Sequence, residues 1–169
     1  MPPRGLQLLA AWAVALTLAW PGAASADSDR WIESTRLLVG VETRLRLLME
    51  TPSQAERAAR SHLVAVAWRY GEDGAEGLLP SALDALRLVQ AEALLEDGIE
   101  RRGLGMLVGA MTGGLQHEWL YYTADPREFA RAFNRLLAET PDWPVRLLTE
   151  FDPGWDAYLS LRRQEFALR

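Results

Sequence analysis

The chain has 169 residues, with 18 basic against 23 acidic side chains and no cysteine. That length suits one domain plus a targeting segment, and the missing thiols exclude disulfides and cysteine chemistry. Every basic residue is an arginine and none lies in a basic run, which argues against nucleic acid as a partner, because phosphate binding relies on clustered positive charge.

The N-terminus reads MPPRGLQLLAAWAVALTLAWPGAASADSD. One early charge, Arg4, precedes an uncharged apolar run of fifteen residues from Leu6 to Trp20, then Pro21-Gly22, with Ala24 and Ala26 at the small-residue positions before a cut. This is the three-part pattern of a secretory signal peptide cleaved after Ala26. The run is short against the roughly 20 residues that span a bilayer. Residues 1–26 are therefore expected to direct export to the periplasm or the medium, and a membrane attachment is expected only if the segment stays uncleaved. The mature portion, residues 27–169, then carries a formal net charge of −6. Its 143 residues are enough to bury a core.

No repeat or linker interrupts residues 30–169, which read as one domain. Trp31–Val39 and Glu42–Met49 are expected to form a hairpin across Gly40, with Thr43, Leu45, Leu47 and Met49 on one face and Glu42, Arg44 and Arg46 on the other; the same stretch can also be read as a helix. Residues 51–61 suit a loop or a short exposed helix. His62–Tyr70 is apolar throughout its centre, as in a strand covered on both faces. Ser81 and Asp84 form a capping-box pattern before a long helix whose expected buried stripe is Leu83, Leu86, Val89, Ala93 and Leu94. Glycine-punctuated residues 104–112 and the stretch HEWLYYT (117–123) read as a second hairpin. Asp125-Pro126-Arg127-Glu128 is a helix start, with Asp125 as its cap. Phe129, Phe133, Leu136 and Leu137 share the following helix face. Residues 144–151 form the last strand. Asp152-Pro153 opens a terminal helix expected to pack through Trp155, Leu159 and Phe166.

From residue 63 the order is strand, helix, strand, strand, helix, strand, the split βαβ order of ferredoxin-like α+β domains, preceded by a hairpin and followed by a helix. That topology puts the strands at 63–68 and 117–123 inside the sheet, with two helices over one face.

HEWLYYTAD concentrates reactive and aromatic groups, but strand neighbours point to opposite faces. His117 and Glu118 therefore cannot converge on one reacting atom. With His62 the only other histidine, no HxxxH or HxH spacing and no DxDxDG loop, no metal site or cofactor is expected. Neither a GxSxG turn nor a GxGxxG loop occurs. A carboxylate pair distant in sequence stays open, with Glu118 and Asp152 its first members. The aromatics define the other reading. If the sheet face opposite the helices is open, Trp119 and Tyr121, or Leu120 and Tyr122, would form an exposed patch suited to a protein partner or a homodimer.

Thr112-Gly113-Gly114 leading into Trp119, Tyr121-Tyr122-Thr123 and Asp125 carries a family resemblance. So do Asp152-Pro153-x-Trp155-x-x-Tyr158 and Gly77-x-x-Pro80. Over about residues 30–160 the chain resembles the uncharacterised domain of unknown function 695 family. The resemblance implies an α+β sandwich related to the ferredoxin-like fold and no assigned chemistry. Asp125, Asp152, Pro153, Trp155 and Tyr158 then read as a structural motif, and Glu118, Trp119, Tyr121 and Tyr122 as binding candidates. The most economical expectation is an exported, non-enzymatic binding domain; the alternative is a small hydrolase using paired carboxylates that include Glu118.

Overall fold

A computed structural model describes residues 28–38, 40–71, 79–140 and 143–166. The signal-peptide reading of residues 1–26, most of GEDGAEG and Pro141 lie outside the described residues. The protein is α+β: a six-stranded antiparallel sheet with four helices.

Strands β1 (Trp31–Leu38) and β2 (Val41–Leu48) form the expected hairpin across Gly40. A short capped helix α1 (Gln54–Ala58) leads to β3 (His62–Arg69). Helix α2 (Ala82–Leu95) continues into a π-helical turn over Glu96–Glu100. Strands β4 (Met106–Gly113) and β5 (Gln116–Thr123) follow, then α3 (Pro126–Ala138), β6 (Val145–Phe151) and α4 (Asp156–Phe166). The order across the sheet is β1-β2-β4-β5-β3-β6, so β3 and β5 lie inside it, as their apolar centres require.

Local chemistry fixes the joints. Gly114 (φ 60°) and Leu115 (φ 64°) make the left-handed pair of a tight β4–β5 hairpin turn. The side chain of Asp125 accepts from the amides of Arg127 (2.8 Å) and Glu128 (3.1 Å) at the start of α3, and these bonds hold its carboxyl below its usual range. Asp125→Ala should lower stability in urea unfolding, as the loss of an N-cap does.

Two apolar layers sandwich the sheet. On one face Val64, Val66, Trp68, Trp119, Tyr121 and Leu107 pack with Leu88, Ala91, Leu95, Ile99 and Phe129 from the helices. Gly98 makes that approach possible, since a Cβ there would sit 2.7 Å from Leu136 Cδ1. On the other face Leu45, Leu47, Ala65, Val108, Leu120 and Tyr122 pack with Trp155 and Tyr158.

The structure corrects three expectations. The buried stripe of α2 is Leu88, Ala91 and Leu95, while Leu83 and Leu86 are exposed. Apolar residues surround most of this leucine- and alanine-rich helix, so period alone selects its face poorly. Arg46, expected on a solvated side of β2, is buried. The terminal helix buries Tyr158 and Glu165 rather than Phe166, which is exposed.

Candidate functional site

HEWLYYT becomes β5, and the alternation of its side chains holds. His117, Trp119 and Tyr121 face α2 and α3, whereas Leu120 and Tyr122 face α4. Neither set is an open patch. Trp119, Tyr121 and Tyr122 are all 0% exposed, which removes the exposed aromatic surface expected of this strand. The chain itself supplies the cover through the DPxWxxY segment.

That segment is a tightly bonded corner. Trp155 stacks on Tyr122 with ring centroids 3.8 Å apart and planes 8° from parallel. Its indole donates to the carbonyls of Arg57 (3.1 Å) and Arg60 (2.7 Å). The Tyr122 hydroxyl donates to Asp152 Oδ2 at 2.6 Å, and Asp152 also accepts from the amides of Asp156 (2.8 Å) and Ala157 (3.1 Å). Burial pushes the Asp152 carboxyl up, but these donors outweigh it and its pKa lies below the ordinary value. Burial first, then the bond to Asp152, pushes the Tyr122 hydroxyl up. The Tyr158 hydroxyl donates to the Leu48 carbonyl at 3.3 Å. Pro153 is exposed between Asp152 and the helix. Asp152, Trp155 and Tyr158 thus fasten α4 to the sheet.

Glu118 is half-buried on the α4 side and bonded to Gln116. It lies four residues, about 13 Å of strand, from Tyr122, the residue that holds Asp152. The two carboxylates singled out from the sequence do not share a cleft.

The fold does assemble a polar seam that the sequence reading missed, on the α2 side. Arg46 of β2 forms a hydrogen-bonded ion pair with Glu92 of α2, and its guanidinium lies 4.7 Å from the Trp31 ring centre. The Trp119 indole reaches Glu92 Oε2 at 3.4 Å. His117 Nδ1 and Thr112 Oγ1 are 2.7 Å apart. Burial, reinforced by Arg46, lowers the His117 pKa to about 3. Burial, then the charges of Glu96 and Glu92 against those of Arg30 and Arg46, raises Glu100 to about 7. The Tyr121 hydroxyl, buried and with no hydrogen-bond partner among the described residues, is pushed up by burial and by Glu100 and Glu92. Glu92, Glu96 and Glu100 follow at i, i+4 and i+8, the one available sequence signal. The π-turn spoils a simple helical projection of it, because its wider winding re-aims the residues that follow. Among the described residues no group of three or more histidine, aspartate or glutamate side chains could hold a metal ion.

An open cleft of about 350 Å³ lies elsewhere, lined by Arg30, Leu48, Glu50, Pro52 and Met106 among others. None of the candidate residues from the sequence lines it.

What remains exposed and apolar on the sheet lies on its two edge strands, with Leu37 of β1 74% exposed. β6 pairs only with β3, and Leu148 (56%) and Phe151 (67%) are more than half exposed on it. Phe151 rests against the His62 ring, 5.1 Å between centres.

These features define an α+β domain closed by its own terminal helix, with a buried polar seam and an edge strand, β6, that α4 does not bond to among the described residues. The chain belongs to the family of unknown function DUF695, whose family model matches residues 29–161. No curated protein and no solved structure gives a significant match.

Proposed function

We propose that this chain is an exported, non-enzymatic interaction domain, periplasmic or secreted, that engages a protein partner along the edge strand β6. The observation that carries this reading is that Leu148 and Phe151 are exposed on that edge, whereas the end of α4 bonds to side chains of the β1 edge. Unpaired strand edges with apolar side chains accept another strand through main-chain hydrogen bonds. The core is read as ferredoxin-like, supported by the order β4-β5-β3-β6 and the helix that follows each of β3 and β5. Export rests on the charged start, short apolar run and small-residue cleavage pattern ending at Ala26.

A second reading, a hydrolase with paired carboxylates, is favoured by Glu100, held near pKa 7 beside Glu92 and Arg46. Glu118 sits on the opposite sheet face and is not a member of that pair.

A strain lacking the protein and complemented with variants separates the two. Leu148→Ser with Phe151→Ser should leave the folded fraction unchanged, because both are surface changes within about 0.5 kcal/mol, yet fail to complement. Glu100→Gln should complement. The reverse pattern would move the function from the edge to the carboxylates. Mass spectrometry of the exported fraction should find a chain beginning at Asp27.

A further inference from the structure

We infer that a second copy of this chain occupies the β6 edge, running antiparallel about a twofold axis through Leu148. This rests on reading β6 as the binding edge and names what binds there.

The strand is self-complementary. Its sequence is VRLLTEF from Val145 to Phe151, and Arg146 and Glu150 stand two residues either side of Leu148. Through their pairing with Ala67, Ala65 and Leu63, the residues Arg146, Leu148 and Glu150 lie on one sheet face. In antiparallel pairing centred on Leu148, each Arg146 meets the other copy's Glu150, and Leu148 meets its own counterpart. On the reverse face Val145 meets Phe151 and Leu147 meets Thr149. Opposite charges and apolar side chains placed directly across a strand pair are the stabilising combinations. Arg146, Leu148 and Glu150 are all exposed, and neither charge forms an ion pair among the described residues.

The other edge also exposes a leucine, Leu37, but differs in its partners. Along β1, Ser34 donates to Glu165 at 2.7 Å, and Arg36 pairs with Glu165 at 2.8 Å and donates to the Gln164 carbonyl. The end of α4 thus engages the side chains of that edge, and no described element does the same at β6. A single guard charge would keep strands apart. Two opposite charges equidistant from a leucine instead select one register of self-pairing, and an axis on a residue keeps corresponding faces of both sheets on the same side.

The chain has no cysteine, so Leu148→Cys in the mature protein provides a direct test. Directly opposed strand residues place their Cα atoms about 4.5–5.5 Å apart, within the range a disulfide bridges. Oxidised glutathione should link the Leu148→Cys protein into a dimer, while Glu33→Cys on the β1 edge should stay monomeric. Sedimentation should show a concentration-dependent dimer. Arg146→Glu, which sets like charges opposite each other at two places, should weaken it about tenfold or more, and adding Glu150→Arg should restore it. A monomer at the highest soluble concentration would overturn the dimer, and the edge reading would still stand or fall on the complementation result. A dimer indifferent to Arg146→Glu, or not restored by the double exchange, would overturn this register. Circular dichroism on each variant establishes that it is folded.

Discussion

Trp155→Ala is expected to destabilise the protein by about 3–5 kcal/mol, the range for deleting a large buried aromatic. A domain of ordinary stability has about 5–15 kcal/mol in all, so much of the folded margin would go. The loss has three sources: the stack on Tyr122, the indole donor to the carbonyls of Arg57 and Arg60, of which Arg57 keeps the Arg60 amide, and the void beneath α4. Urea unfolding measures it. Tyr122→Phe keeps the ring stack but removes the donor to Asp152, and should cost about 1–2 kcal/mol. Backbone conformation adds a sharper contrast. Trp155 has φ 59°, a left-handed conformation that costs a residue with a Cβ about 1 kcal/mol and glycine little. Trp155→Gly should therefore be no worse than Trp155→Ala, the reverse of the usual order. If Trp155→Ala kept full stability and lost only an association, the corner would be a binding site and its fastening role would be wrong.

The second large effect is a pair of opposed pH dependences that nearly cancel between about pH 4.5 and 7 and that substitution separates. His117 has its folded pKa depressed from 6.5 to about 3. Its contribution is present above 6.5 and is lost as pH falls, because the unfolded chain takes up a proton that the buried ring refuses. The loss reaches about 2 kcal/mol by pH 5 and about 4 kcal/mol near pH 3. Asp152, with its lowered pKa, adds to this acid limb. Glu100 has its folded pKa raised from 4.5 to about 7. Its contribution is full below 4.5 and falls away as pH rises to 7, by about 2–3 kcal/mol. Urea unfolding of the unaltered chain should therefore vary in stability by less than about 1 kcal/mol from about pH 4.5 to pH 9. Glu100→Gln should unmask a rise in stability of about 2–3 kcal/mol from about pH 4.5 to pH 7, and His117→Gln a fall of about the same size over that interval. An unchanged profile in Glu100→Gln would show that Glu100 is solvated and the seam open.

The same two residues show what could be read in advance. Alternation along HEWLYYT sets His117 and Glu118 on opposite faces whatever surrounds the strand, and it ruled out their acting as a pair. The apolar run at 64–68, the caps at Ser81 and Asp125, and the glycine turns are likewise local: each depends on residues within a few positions. What lies over each face is not local. Arg46 reads as solvated in any β-period projection, until Glu92, far along the chain, arrives beside it. Glu100 reads as a surface acid until a π-turn and the neighbouring carboxylates place it where its charge is costly.

By itself the sequence determined the strands, the helices, the β3–β5 interior and the corner motif, because hydrophobic period, capping and turn chemistry act over short range. Only the tertiary structure decided that α4 covers the second sheet face, that the aromatic strand is buried on both sides, and that β6 is the edge left open. Those outcomes depend on which distant surfaces meet, and the apolar area buried in that meeting outweighs the local periodicity of any one element.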